Sequence, residues 1–204
     1  DFTSGAFRPQ TMAALYSMND GENYTMLSED GTKIVKYNYL SGKAIDTIFD
    51  VATAKNCTLK RISDYEFDSQ EKRILILTDK TPIYRHSFTT TYYVYNITRN
   101  ELEPLSEKPG LQNLAQFSPN GRMIVFAREN NLFIKKLDFN TEIQITKDGE
   151  FNKVINGTAD WVYEEEFGCT RYFAWSPDSK LLAWVRFDES EIKQFSFDVY
   201  DHPY

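Results

Sequence analysis

The sequence predicts an all-β fold of four-stranded antiparallel sheets, of the kind that form propeller blades. Two observations indicate this class. A pattern of turn and strand returns about every 50 to 60 residues along the chain. Aromatic residues, which favour pleated strands, make up 15% of the chain, and hydrophobic residues make up 41%. With 204 residues, the chain is long enough to bury a substantial core.

The repeated pattern is clearest after Phe117 and Trp175. Phe117 is followed by Ser-Pro-Asn-Gly-Arg-Met-Ile-Val-Phe, and Trp175 by Ser-Pro-Asp-Ser-Lys-Leu-Leu-Ala-Trp. A degenerate copy starts at Phe67, and Ser28–Thr32 has the same turn composition. Proline fixes φ, and the Gly, Asn or Asp that follows tolerates left-handed backbone. Each copy therefore predicts a turn between two antiparallel strands, the second of them apolar on both faces.

The spacing of the copies predicts the architecture. The aromatic residues Phe67, Phe117 and Trp175 are 50 and 58 residues apart, and about four strands fit into each period. Such periods are typical of propeller blades, whose inner strands are covered on both faces, although an antiparallel sandwich with similar hairpins is an alternative. Three to four blades fit in the chain, fewer than a closed ring normally needs. Besides the apolar runs, strands are predicted at Ile34–Tyr37, Ala44–Phe49, Tyr92–Thr98, Leu132–Asp138 and Phe195–Tyr200.

Charge and composition exclude several classes of function. The chain has 23 Lys and Arg against 30 Asp and Glu, a net charge of −7, so neither nucleic acid nor an anionic membrane is a predicted partner. No apolar run is long enough to span a bilayer, and no signal peptide is visible. Cys57 and Cys169 are read as two separate thiols, with a single disulfide as the alternative. No Cys/His cluster occurs, so no metal and no cofactor is predicted.

One segment, Asn156–Phe167, interrupts the alternation of strands. Thr158 or Asp160 is expected to cap a short helix that contains or precedes the three consecutive glutamates Glu164–Glu166. Adjacent carboxylates repel each other and usually occupy one solvated face. The functional alternative is a carboxylate pair that binds a primary ammonium, whose three N–H donors suit two glutamates.

A second segment, Ile83–Tyr93, is predicted to form an extended hairpin between two strands. It contains Arg85, whose guanidinium group suits a carbonyl or a carboxylate. A lone surface arginine is more often only solvated, so this residue alone does not identify a function.

Together these segments resemble the dipeptidyl peptidase IV family. The similar stretches are Tyr-Arg-His-Ser-Phe-Thr-Thr-Thr-Tyr and, above all, Asp-Trp-Val-Tyr-Glu-Glu-Glu, and the likeness extends from about Tyr24 onward. The resemblance implies an eight-bladed propeller over an α/β-hydrolase domain that removes dipeptides after Pro or Ala with a Ser–Asp–His triad. It implies that Glu165 and Glu166 bind the free substrate ammonium and that Arg85 binds the carbonyl of the penultimate residue. Glu164 matches the first glutamate of the motif, which the family does not use as its main anchor.

The departures from the family pattern limit the prediction. No Gly-x-Ser-x-Gly sequence occurs, and neither His86 nor His202 stands in a catalytic context; His86 is expected to stabilise the hairpin. The residues after the glutamates, Cys169 among them, also differ from the expected pattern. Residues 1–204 are therefore identified as the amino-terminal part of the propeller domain. The hydrolase domain and about half of the propeller are absent, so no catalytic residue is predicted in this chain.

The resulting prediction is a substrate-gating propeller part of a serine exopeptidase, inactive by itself, whose partners are peptides with a free amino terminus. The alternatives are a non-catalytic propeller that acts as a protein-interaction module, or a complete four-bladed propeller. The parent enzyme is expected to be secreted or periplasmic and homodimeric. The isolated chain is expected to self-associate through open apolar faces at Ile74–Leu77, Met123–Ala127 and Leu181–Val185.

Overall fold

The computed structural model describes residues 13–193 and 195–196, which form two compact units. The described residues up to Thr81, together with Thr90–Lys108, form the first unit. Pro82–Thr89 and the described residues from Pro109 onward form the second unit. Of the strand predicted at Phe195–Tyr200, only the first two residues are described, and they are not a strand; the remainder, like His202, lies outside the described residues.

The first unit contains two four-stranded antiparallel sheets, with strand orders β1-β2-β3-β4 and β10-β9-β6-β5. A short two-stranded hairpin, β7 and β8, follows β6 along the chain, and all of it except Thr81 belongs to the second unit. In chain order, the first ten strands, including those of the hairpin, are β1 (Tyr16–Ser17), β2 (Asn23–Leu27), β3 (Lys33–Asn38), β4 (Ala44–Asp50), β5 (Asp64–Phe67), β6 (Arg73–Leu77), β7 (Thr81–Pro82), β8 (Phe88–Thr89), β9 (Tyr92–Asn96) and β10 (Glu101–Pro104).

The second unit contains a third four-stranded antiparallel sheet, β11-β12-β13-β14, followed by two two-stranded pairs, β15 with β18 and β16 with β17. Its one described helix, α1, is neither long nor apolar enough to cross a membrane. The elements are β11 (Asn113–Phe117), β12 (Met123–Arg128), β13 (Asn131–Lys136), β14 (Thr141–Gln144), β15 (Val154–Asn156), α1 (Trp161–Phe167), β16 (Phe173–Trp175), β17 (Leu182–Trp184) and β18 (Arg186–Asp188).

The predicted turn is present in all four copies, with one shared geometry. The first residue of each turn is Ser or Asp, and its side-chain oxygen accepts the backbone N–H of the fifth residue after it. The fourth residue has left-handed backbone, with φ between 53° and 71°. The donor and acceptor pairs are Lys33 to Ser28 (2.9 Å), Arg73 to Asp68 (3.0 Å), Met123 to Ser118 (3.0 Å) and Leu181 to Ser176 (2.9 Å).

The apolar strand after each turn is buried in two of the three predicted cases. In β6 and β12, every residue after the first is buried, so these strands belong to the cores of their units. The prediction that they form open apolar faces is therefore wrong. In β17, by contrast, Trp184 is 41% exposed, and the flanking Leu181 and Val185 are exposed as well. Within the described residues β17 pairs with β16 alone, so no further strand covers it.

Candidate functional site

Helix α1 lies in the connection between β15 and β16, and the base of that connection is closed by backbone hydrogen bonds. The N–H of Gly157 donates to the carbonyl of Val185 (2.9 Å), and the N–H of Tyr172 donates to the carbonyl of Gly157 (2.9 Å). Closer to the helix, the N–H of Ala159 donates to the carbonyl of Thr170 (3.1 Å). The glutamates are therefore presented on a closed loop that is anchored in the sheet.

Both ends of α1 are capped. The carboxylate of Asp160 accepts the N–H of Tyr163 at 2.7 Å, which satisfies a donor that the first helical turn leaves free. Of the two caps considered from the sequence, Asp160 is confirmed. At the other end, Gly168 adopts left-handed backbone with φ 62°, and its N–H donates to the carbonyl of Glu164 at 2.9 Å. The two caps explain why seven residues between strands form a helix.

An aromatic cluster packs the helix against the rest of the second unit. The ring of Tyr163 packs against Phe187 with centroids 4.7 Å apart, and against Tyr172 at 5.7 Å. Tyr172 and Phe187 also contact each other edge to face. Edge-to-face packing of this kind has a preferred geometry, so the cluster fixes the rotation of the helix about its axis.

The three glutamates project in different directions, because successive residues on a helix are about 100° apart. Glu164 is completely buried, the side chain of Glu165 is 20% exposed, and Glu166 is exposed. The interpretation of the run as a single solvated face is therefore wrong for Glu164. Glu165 and Glu166 remain accessible to a ligand.

The β7–β8 hairpin places Arg85 next to Glu165. The sequence predicts an extended hairpin in this segment, with Arg85 at the surface. The N–H of Ile83 donates to the carbonyl of Ser87 at 2.8 Å, and Arg85 lies in the turn between them. Its Nε is 3.2 Å from Oε2 of Glu165, although 70% of the arginine side chain is exposed. Among the described residues, Glu166 forms no ion pair with Arg85.

The buried Glu164 contacts the same hairpin through its backbone. Its Oε1 accepts the N–H of His86 at 2.6 Å and the N–H of Ser87 at 2.9 Å. Burial raises the pKa of Glu164, but the nearby Ser87 side chain and these two N–H groups outweigh that effect, so the pKa lies below its ordinary value. Oε2 of Glu164 and the hydroxyl of Ser87 are buried and form no hydrogen bond within the described part of the chain. This role of Glu164 was not predicted from the sequence, because three identical residues in a row do not show which one faces inward. His86 was expected to stabilise the hairpin, and its backbone N–H takes part in this contact.

A cavity of about 240 Å³ adjoins the site, and its lining of mixed polarity includes Tyr84, Ser87, Asp160 and Glu189. Burial and a hydrogen bond with Asp160 raise the pKa of Glu189. Burial also raises the pKa of Tyr84, and the nearby carboxylates of Glu189 and Asp160 add to that rise. The groups around the helix are thus predominantly acidic, and they favour a cation over an anion. Within the described chain, no cluster of three or more His, Cys, Asp or Glu residues is arranged to hold a metal ion.

A family model for the dipeptidyl peptidase IV (DPP IV) N-terminal region matches residues 68–203, which include both the hairpin and the helix. The chain belongs to this family. A crystal structure of Porphyromonas gingivalis dipeptidyl peptidase 4 is similar to it with a TM-score of 0.92 and 48% identity, over 98% of this chain and 29% of that chain. This similarity confirms the predicted fold, a partial β-propeller of four-stranded antiparallel blades.

Curated relatives include enzymes with two kinds of name. Human prolyl endopeptidase FAP is 31% identical over 201 residues, which is 98% of this chain and 26% of the relative. A probable dipeptidyl-aminopeptidase B from Talaromyces marneffei is 40% identical over 132 residues, which is 63% of this chain and 15% of the relative. The chain thus spans about a quarter or less of the length of these relatives.

Proposed function

We propose that this chain is the substrate-gating, amino-terminal propeller part of a longer serine exopeptidase that releases Xaa-Pro and Xaa-Ala dipeptides from peptide amino termini. The observation that supports it best is the pairing of Arg85 with Glu165 at 3.2 Å, beside the accessible Glu166. The two carboxylates suit the ammonium at one end of a dipeptide unit, and the guanidinium suits the carbonyl at the other end. The α/β-hydrolase domain with the triad belongs, in this proposal, to the remainder of the longer protein.

The physical basis is selection by length. Glu165 and Glu166 bind the free α-ammonium, and Arg85 binds the carbonyl of the penultimate residue. A carboxylate pair at a fixed distance from the nucleophile admits only chains whose ammonium reaches it, so cleavage follows the second residue.

A second candidate is internal cleavage after proline, because the FAP relatives are named prolyl endopeptidases. Cleavage within a chain needs no free ammonium, so the two candidates differ in what the glutamate pair contributes. The non-catalytic interaction module is the third candidate, and it requires no hydrolysis at all. The three candidates differ in measurable activity.

The test uses the longer protein that carries this chain and compares Gly-Pro-p-nitroanilide with its N-acetylated form. We expect Glu165→Gln and Glu166→Gln each to lower kcat/KM on the free substrate about tenfold to hundredfold, since each removes a charged partner of the ammonium. The matched control is Glu107→Gln, at an exposed glutamate of the other unit, and it leaves the rate unchanged. Equal cleavage of the acetylated substrate would favour the endopeptidase, and no cleavage of either would favour the module.

We also propose that the longer protein is secreted or periplasmic and homodimeric. Both properties are proposed from the family resemblance alone. Cell fractionation and light scattering of the longer protein test them separately, and recovery of the protein in the cytoplasmic fraction alone would contradict the first.

A further inference from the structure

We infer that Glu164 is the positioning residue of the site: its buried carboxylate clamps the backbone of the β7–β8 hairpin and thereby places the guanidinium of Arg85 beside Glu165. This inference rests on the proposed function for what Arg85 does, but the clamp itself is a structural claim. Glu164 touches no substrate in this scheme. It acts through Arg85.

The first reason is the cost of burying a carboxylate. Glu164 has no exposed surface, and a buried charge is unfavourable unless it is paired or well hydrogen-bonded. Helix positions that face inward normally hold apolar side chains, which would fill the same space without this penalty. Oε1 of this carboxylate accepts two hydrogen bonds from consecutive backbone N–H groups, those of His86 and Ser87, whereas the buried Oε2 has no hydrogen-bond partner among the described residues. The hairpin backbone is therefore what compensates the charge.

The second reason is the position of those donors. They are the two residues that directly follow Arg85, and the hairpin is closed on the other side by the Ile83 to Ser87 hydrogen bond. Fixing the backbone after Arg85 fixes the direction in which its side chain leaves the turn. The side chain itself is 70% exposed, so its surroundings restrain it weakly.

The third reason is that the clamp and the ion pair share one helical turn. Glu164 and Glu165 are adjacent on α1, and they project about 100° apart, so one binds the hairpin backbone while the other meets the arginine head group. The distance between Arg85 and Glu165 therefore depends both on the helix, which carries the two glutamates, and on the clamp, which holds the hairpin against it. Without the clamp, the hairpin is free to move away while the helix stays in place.

The structural test measures amide hydrogen exchange of His86 and Ser87 in this chain. We expect both amides to be protected, and Glu164→Ala to reduce their protection about tenfold to hundredfold, because hydrogen bonds to a charged acceptor are lost. Glu164→Gln retains an acceptor oxygen and should lose less, whereas the similarly sized Glu164→Leu should behave like Ala. The exposed Glu166→Ala is the control, and the amide of Ile124 in β12 reports whether each variant is folded.

Two results would overturn the clamp. One is free exchange of His86 and Ser87 in the unmodified chain. The other is full protection in Glu164→Leu, which would mean that Glu164 only fills space. These outcomes do not depend on catalysis, so they separate failure of the clamp from failure of the proposed function.

The functional test uses the longer protein and a double substitution. If Glu164 acts through Arg85, Glu164→Ala lowers kcat/KM on Gly-Pro-p-nitroanilide about tenfold or more, mainly through KM, since Arg85 binds substrate before and during the reaction. In an Arg85→Met background the same substitution then has no further effect. Independent, additive losses would refute a positioning role. Arg99→Ala, at an exposed arginine outside the site, is the matched control for removing an arginine.

Discussion

Replacing Gly157 by alanine should disturb the loop that carries the glutamates far more than the same change at Gly168. Both glycines have left-handed backbone, with φ 74° and 62°, and they stand on either side of α1. A Cβ at Gly157 would lie 2.8 Å and 2.9 Å from the two methyl carbons of Leu132, a completely buried side chain. A Cβ at Gly168 would meet nothing within 4 Å.

The magnitudes follow from these two environments. Left-handed backbone costs a non-glycine residue about 1–2 kcal/mol, so we expect Gly168→Ala to lower the free energy of unfolding by roughly 1 kcal/mol. Gly157→Ala has that cost and an overpacking cost of about 1–3 kcal/mol against Leu132, for a total of roughly 2–4 kcal/mol. The difference between the two variants isolates the contact with Leu132.

Tryptophan fluorescence in a urea titration is the suitable measurement. All three tryptophans, Trp161, Trp175 and Trp184, lie in the second unit, so the signal reports the unit that contains both glycines. A double variant, Gly157→Ala with Leu132→Ala, should be less destabilised than the sum of its single changes, because removing the leucine removes the clash. Equal losses for Gly157→Ala and Gly168→Ala, or strict additivity in the double variant, would refute the reasoning.

Four further predictions concern the rest of the chain. Glu142→Ala should lower the stability of the second unit by about 1.5–3 kcal/mol in the same titration, because it removes a charge-assisted hydrogen bond of 2.9 Å to the guanidinium of Arg128, whose side chain is only 6% exposed. Because the pKa of Glu164 is lowered on folding, its stabilising effect is present above the ordinary value of about 4.3 and is lost as pH falls through the lower folded value. The protection factors of the His86 and Ser87 amides should therefore stay constant from neutral pH down to about 5 and decrease only in stronger acid. This chain alone should release no dipeptide from Gly-Pro-p-nitroanilide, and inhibitor-sensitive release would contradict that. It should also self-associate at micromolar concentration through the exposed β17, and a stable monomer in light scattering would count against this.

Local chemistry explains which features were predictable from the sequence. The turns depend on a side chain and a backbone group five residues apart, so Ser118 and Ser176 predict them from their own neighbours. The cap at Asp160 is equally local. The inward direction of Glu164 is not, because it depends on how the helix packs against a hairpin 78 residues earlier. The exposure of β17 likewise depends on which strands cover it, information that an apolar run does not contain.

The span of the hydrogen bonds in the repeated turn has a consequence for the order of folding. Each turn closes a loop of only five residues, so its entropic cost is small and each hairpin can form soon after its own residues leave the ribosome. The contact between Glu164 and the hairpin has to wait until 77 or 78 more residues have been synthesised. The repeated hairpins can therefore form before the pairing of Arg85 with Glu165, which has to await a longer stretch of synthesis.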